Sequence, residues 1–298
     1  MRDAPKVAII ILNWNGVSDT SECLESLKSV TYPNFETIVV DNGSQEDDVN
    51  ILRRRFGDSI HLIANDKNYG FAGGANVGLR YALGRGADYL LLLNNDVVVD
   101  SEFLAELVQT AQSLPNLAAA CPKIYFHDRP NVLHSTGGRV NVWTGTSRQV
   151  GRGEIDKGQY DQIAVRDYAD GACILISRQA LERVGFLDED YFAYWEETDW
   201  CTRARDLGMR SLYMPKAKVW HKGSASLTKH DFYFLYRRGA LLFLRKRKTT
   251  LHLISALLCY FLLFGPLYVL RHPSRLTRAL AEARALLWHL RTPVTGKT

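Results

Sequence analysis

The chain has 298 residues, 46% of them hydrophobic, enough to bury one large core or two small ones, which excludes a disordered polymer. Its net charge of +5 is unevenly spread: from Arg237 onward twelve Lys and Arg face one acid, Glu282, a balance of +11, so the residues before carry −6. An acidic body with a basic, apolar tail argues against nucleic acid and for an anionic lipid surface as partner.

In chain order, Val7 to Leu12, Thr37 to Val40, Ile60 to Ile63, Tyr89 to Leu93 and Leu117 to Cys121 read as short buried strands. The first of these is short and stopped by Asn13, so it is not read as a signal peptide. Helix-period segments lie between the strands, the alternation of a mostly parallel sheet with covering helices. Asp19 with Glu22 reads as a capped helix start, followed by Leu24, Leu27 and Val30 on one face; Phe103, Leu104, Leu107, Val108 and Ala111 repeat the pattern.

From Tyr125 to Tyr168 the periodicity fails, and glycines punctuate a polar stretch expected as loop or short edge strands. Regularity returns with a strand-like Ala172 to Ile176, a helix from Glu196 to Leu207 and a strand-like Arg210 to Met214. The five cysteines, at 23, 121, 173, 201 and 259, form no CxxC pair, which fits a reducing cytoplasm. The tail carries Arg245-Lys246-Arg247-Lys248, the mostly apolar Leu251 to Leu270 interrupted by Gly265-Pro266, then Arg271, Arg275 and Arg278. Its apolar stretch is about as long as a membrane span requires, but an in-plane arrangement bent at Gly265-Pro266 puts both basic clusters at one anionic surface; the alternative is a helical hairpin packed on the preceding domain or on a second subunit. A final helix with Leu280, Leu286, Leu287 and Leu290 reads as amphipathic.

Several clusters carry chemistry. Asn94-Asn95-Asp96 follows a buried strand, where ligands of open parallel sheets bind; Asp96 there can hold Mg²⁺ or Mn²⁺ completed by diphosphate and water, or simply end the strand in an Asx turn. Asp41-Asn42-Gly43-Ser44 falls on the same edge, able to accept from a pyrimidine N–H or to form a generic turn. Asn68 to Asn76 is a glycine-rich loop opening into a helix, suited to a phosphate or a ribose, or to close helix-to-sheet packing. Trp195-Glu196-Glu197-Thr198-Asp199-Trp200 sets three acids at a helix start, where they favour the dipole or supply a base for an acceptor hydroxyl. His221 follows an apolar pair and stands alone.

In this order the stretches VAIIILNWNG, VVVDNGS, NYGFAGGANVGL, LLLLNNDVVVD, GACILISR and FAYWEETDWCTRARDLG, spanning Lys6 to Ser226, resemble the family 2 glycosyltransferases of GT-A fold, especially rhamnosyltransferase-like and galactofuranosyltransferase-like members. The resemblance implies a Rossmann-like sheet with helices on both faces: a nucleotide-sugar half over 1–120, an acceptor half over 121–230 and a helical, membrane-associating tail over 231–298. It implies a divalent cation on Asp96 and His221, and a nucleotide diphosphate sugar, of dTDP-rhamnose or UDP-hexose type, bordered by Asn13, Asn15, Asp41, Asn68, Gly70, Gly73, Asn76, Asn94 and Asn95. Glu197 would be the general base with Asp199 supporting it, and Asp170, Trp195 and Glu196 would face a lipid-linked or glycan acceptor. Transfer would invert the anomeric centre at the cytoplasmic face of the cell membrane. Two departures stand out: the metal motif has one acid where many relatives have more, and Glu197 stands where closer relatives often have Asp. A sugar nucleotidyltransferase and a non-catalytic nucleotide-binding scaffold are the alternatives, and a homo-oligomer is compatible with the sequence.

Overall fold

Apolar side chains of the first strands alternate in destination because both faces of the sheet are covered. Strand β1 (Val7–Asn13) sends Val7, Ile9 and Ile11 into one core and Ala8 and Ile10 into the other. The computed structural model describes residues 4–223, 228–264 and 276–292. Helix α1 (Val17–Leu27) leads to β2 (Phe35–Asp41), α2 (Asp48–Phe56) to β3 (His61–Ala64), and α3 (Gly70–Gly84) to β4 (Tyr89–Asn94). These four strands pair in parallel, in the order β4-β1-β2-β3. Their carboxyl ends therefore share one edge: Asn13 is in register with Asp41, and Leu12 with Asn94.

The second half extends the same sheet. After β5 (Val97–Val99) and α4 (Phe103–Gln112) come β6 (Leu117–Phe126), β7 (Leu133–Ser135), the hairpin β8 (Gly138–Asn141) and β9 (Thr146–Gln149), then β10 (Ala164–Arg166) and β11 (Cys173–Ser177). Helices α5 (Arg178–Val184) and α6 (Glu196–Asp206) precede β12 (Arg210–His221). The sheet has ten strands in the path β10-β12-β6-β11-β4-β1-β2-β3, with β5 on β12 and β7 on β6. Strand β11 runs antiparallel between β4 and β6, so the chain entering it arrives at the carboxyl edge of β4.

The stretch 125–168 thus contains short strands, and two strands run longer than their apolar cores suggest. In β12 the register shifts between Met214 and Lys218, where Pro215 removes a ladder donor and forces a bulge. The expected cap of α1 is not formed by Asp19 and Glu22: the helix begins after Gly16 with no side-chain cap, and both acids instead accept from Lys222 Nζ at 2.7 Å each.

The tail begins as α7 (Lys229–Arg247), continues as α8 (Thr250–Phe264), and ends in α9 (Leu276–Arg291). Helix α7 builds a third core, in which Ala240, Leu242, Phe243 and Leu244 pack with the preceding residues Tyr191 and Trp195. The basic run at its end is turned inward: Lys246 pairs with Asp188 and Asp190, Arg247 with Asp199, and Arg245 with His289 and Thr292. Two of the four charges expected at an anionic surface are thus neutralised within the protein. Among the described residues no helix is long and apolar enough to cross a membrane. Residues 265 and 266, expected to bend the tail, lie outside the described residues. The leucine face of α9 is also reversed: Ala281, Glu282 and Ala285 are buried, while Leu280, Leu287 and Leu290 are exposed.

Candidate active site

The shared carboxyl edge collects chemistry from both halves. Strand β5 starts just after Asp96 and pairs antiparallel with the end of β12, His221 opposite Val97. This ladder, closed by Lys222 N–H donating to Asp96 O at 3.0 Å, brings His221 Nε2 to 3.0 Å from Asp96 Oδ1. Both side chains are largely buried, and His221 Nδ1 is buried without a hydrogen-bond partner. A nitrogen and a carboxylate oxygen converging on one spot supply two donors to a cation of Mg²⁺ or Mn²⁺ type, which characteristically takes its remaining positions from phosphate and water. Among the described residues no group of three or more His, Cys, Asp or Glu offers a cage of protein donors. The donor set therefore fits an ion bound together with a diphosphate.

Beside this pair lies a residue that the sequence does not single out. His134, on β7, packs edge-on against His221 with ring centroids 4.7 Å apart, and Arg152 donates to its Nε2 at 2.9 Å. Burial pushes its imidazole down to about 4, so it is neutral at physiological pH. In LHSTGG nothing marks it; only the β6–β7 pairing brings it to the edge.

Asp170 enters from the segment leading into β11, with Asn94 N–H donating to Ala172 O at 3.0 Å. It is 5% exposed, and its Oδ2 has no hydrogen-bond partner. Gly171 stands against Glu197: a Cβ there would lie 3.6 Å from Glu197 Cγ. The adjacent acids of α6 now separate. Glu196 is buried, 6% exposed, and burial, then the Glu197 charge, holds its carboxyl well above the usual range. Glu197 is half-buried, and burial, reinforced by Asp170, pushes its carboxyl up to about 7. The phenol of Tyr194 lies near both ends of the site: burial first, then Glu196, Asp96 and Glu197, raise it to about 12.

Other expected site residues are engaged in holding the edge together. Asn13 Nδ2 donates to Asp41 Oδ1 at 2.7 Å and Asp48 Oδ2 at 2.9 Å, while its Oδ1 accepts from Thr20. Asp41 also accepts from Ser44 N and Oγ, the Asx-turn reading of that motif. Asn15 adopts φ 50° and is tied to Ser44 and Gln45, and Asn95 donates to Thr20 Oγ1 and Gly16 O. Asn68 accepts from Asn42 and Gly70 N–H, and Asn76 is locked to Leu187 and Glu189.

The glycines that read as a loop form the first turn of α3. A Cβ on Gly73 would meet Tyr69 Cβ at 2.8 Å, and one on Gly74 would meet Leu12 Cδ1 at 2.5 Å. Gly74 thus serves close helix-to-sheet packing. Trp195, expected at the acceptor, is 2% exposed and packs in the third core at a tilt against Phe243, so its ring is covered by protein rather than open to a sugar. Asp199 is fully buried between Tyr191, Arg203 and Arg247.

The turn before α6 is strained. Phe192 has φ 62° and ψ −60° with Ala193 N–H donating to Tyr191 O at 2.7 Å, a γ-turn of the rarer hand, and Tyr194 and Trp195 follow at φ 68° and 79°. Such bulky residues at positive φ cost on the order of 1–3 kcal/mol each and persist only where surrounding contacts impose them, typically at functional sites.

The fold is thus a mostly parallel mixed sheet covered by helices, with the Asp96–His221 pair and a raised carboxyl gathered at the carboxyl edge of its parallel strands. The glycosyl transferase family 2 profile matches residues 8–185, more than half of the chain, and the protein belongs to that family. It is similar to the low-salt glycan biosynthesis hexosyltransferase Agl10 of Haloferax volcanii, 31% identical over 67% of this chain and 61% of that one. It is also similar to the dTDP-rhamnosyl transferase RfbF of Shigella flexneri, 25% identical over 63% and 60%. An N-acetylglucosaminyl-diphospho-decaprenol L-rhamnosyltransferase of Mycobacterium tuberculosis matches at 26% over 66% and 70%. The chain thus spans about three fifths of the length of two of these curated relatives. Among solved structures, the fold matches the Pyrobaculum calidifontis mannosyltransferase PcManGT in complex with GDP-Man and Mn²⁺, TM-score 0.61 and 17% identity over 97% of this chain and 88% of that one. It also matches GalNAc-T7 with UDP, GalNAc and Mn²⁺, TM-score 0.64 and 14% identity over 83% and 48%. The fold is GT-A-like.

Proposed function

We propose that the protein is an inverting glycosyltransferase that moves a sugar from a nucleotide diphosphate to a hydroxyl of a lipid-linked glycan during polysaccharide synthesis. The observation that carries this reading is the half-buried Glu197, its carboxyl raised to about 7, on the same sheet edge as the Asp96–His221 pair. A base near neutrality suits proton removal from a hydroxyl. The donor class, dTDP-rhamnose or UDP-hexose, and the lipid diphosphate acceptor take support from the names of the Shigella and Mycobacterium relatives.

In the proposed reaction Glu197 takes the proton of the acceptor hydroxyl as that oxygen attacks the anomeric carbon from the face opposite the diphosphate. The bond to the diphosphate breaks, its electron pair leaves with the nucleotide, and the proton remains on Glu197. Asp96 and His221 would hold the divalent cation, whose contribution is to neutralise charge on the leaving diphosphate. Tyr194 and Asp170 flank the path, and Glu196, its carboxyl held up by burial and the Glu197 charge, is enclosed and so less open to an acceptor hydroxyl than half-buried Glu197.

In this reading the protein works at the cytoplasmic face of the membrane, and exposed apolar surface supports that more than charge does. Leu251, Ile254, Leu258 and Phe261 form one face of α8 and are 49% to 61% exposed. Trp143, 51% exposed at the tip of the β8–β9 hairpin, lies beside that helix with its ring 4.3 Å from His252.

The test is a panel of nucleotide sugars with Mg²⁺ and Mn²⁺, scored by nucleotide diphosphate released in the presence of polyprenyl-diphosphate-linked acceptors. Release with retained configuration would remove the inverting mechanism. Binding of a donor without turnover on any acceptor would make the protein a nucleotide-binding scaffold.

A further inference from the structure

Three acids, Glu196, Glu197 and Asp199, occupy the first turn of α6, and the last of them is fully buried. A helix start favours acids, but a buried carboxylate needs donors of its own. Asp199 receives Tyr191 Oη at 3.0 Å, Arg203 Nε at 2.8 Å, and Arg247 Nε at 2.7 Å. The first two belong to the same region of the body; Arg247 comes from the end of α7.

The same helix grips the segment in front of α6. Lys246 Nζ lies 2.6 Å from Asp188 and 2.7 Å from Asp190, and Arg238 donates to the carbonyls of Asp190 and Tyr191. Gly239 lets the backbone of α7 press on the strained turn: a Cβ there would stand 2.7 Å from Tyr194 O and 2.9 Å from Trp195 Cδ1. Helix α7 therefore holds both sides of the turn 192–195 and, through Asp199, the helical turn that carries Glu197.

We propose that Arg247 is a positioning residue for the general base: its ion pair with Asp199 fixes the first turn of α6, so that a segment beyond the family-matched residues 8–185 completes the catalytic centre. This rests on Glu197 being the base. Basic residues that by sequence alone suit a lipid surface act instead on the chemistry, and Lys246 anchors the loop that the base helix grows from.

The experiment compares Arg247→Gln and Arg247→Lys with the wild type in the full chain, measuring folding, donor affinity, kcat and the pH dependence of transfer. Arg247→Gln should lower kcat about 10- to 100-fold, as small misplacements of a reacting group do, with donor affinity within about twofold. Rehydration of Glu197 and loss of the Arg247 charge beside Asp199 both act on the base, so the midpoint of the rising pH limb should move away from that of the wild type, and Arg247→Lys should recover part of both effects. If Arg247→Gln does not fold, the pair Asp199→Asn with Arg247→Gln removes both charges together and should show the same kcat loss. Folded variants with wild-type kcat and midpoint, or a lowered melting temperature with unchanged kcat, overturn the proposal. Glu197→Gln run in parallel separates the two readings: if it stays active, the base assignment itself fails, whereas if it is inactive while Arg247→Gln is normal, only the role of Arg247 falls.

Discussion

His221 Nε2 and Asp96 Oδ1 stand 3.0 Å apart because β5 and β12, distant in sequence, pair directly at the carboxyl edge of the sheet. With the pair acting on a cation, Asp96→Asn should abolish the rise in melting temperature that donor and Mn²⁺ together produce. His221→Ala should instead shift the Mn²⁺ titration of that rise about tenfold to higher concentration. Equal Mn²⁺ responses in wild type and both variants would return the pair to a structural hydrogen bond.

Glu197→Gln should reduce kcat by about 10² to 10⁴ while leaving donor affinity intact. The wild-type rate should fall as pH drops below about 7, because the base is then protonated. Stability runs the opposite way. The folded carboxyl titrates above its ordinary value of 4.5, so its contribution is full below that value and lost as pH rises through about 7. Melting temperatures from pH 4 to 8 should therefore show Glu197→Gln gaining on the wild type toward alkaline pH. A parallel pair of curves would contradict the elevated carboxyl.

Gly74→Val should destabilise the protein by about 1–3 kcal/mol, since the added carbons run into Leu12 and Asn42. Chemical denaturation measures this directly. A variant of normal stability that fails to bind donor would instead assign Gly74 to the ligand.

Leu258→Ser with Phe261→Ser should weaken flotation with anionic vesicles and leave melting temperature near the wild type, because both side chains are more than half exposed. Unchanged flotation, or none for the wild type at low salt, would remove α8 as a membrane contact.

The parallel half of the sheet was legible because buried strands carry continuous apolar runs, as in Ile9 to Leu12 and Leu90 to Leu93, and each ends in a polar residue at the edge. Asp96 could be put at that edge for this reason, whereas Glu197, on α6, was singled out by its acid cluster and by the family resemblance. What sequence does not show is the bracing that Asn13, Asp41 and Asn76 also supply, because the same side chains suit either role and their hydrogen-bond partners lie far away in the chain or across a turn. His134 was invisible because its partners, His221 and Arg152, come from other strands and loops. The basic run 245–248 does not reveal its own partners, because charge on a helix says nothing of which neighbours it meets; for Lys246 and Arg247 they are Asp188, Asp190 and Asp199.

The γ-turn at Phe192 reaches further than the helix it precedes. Its carbonyl oxygen accepts from Phe71 N–H at 2.5 Å and lies near Ala72 N–H at 3.4 Å, so the amides at the start of α3 are already occupied by a group from the opposite half of the molecule. The Phe192 ring and carbonyl also fill the space a Cβ on Gly70 would need. A phosphate cannot take those amides without evicting the carbonyl, and evicting it moves the turn from which the Glu197 helix springs. The two halves of the fold are thus pinned to each other at one carbonyl, which joins the start of the glycine-rich helix to the turn that carries the acid cluster.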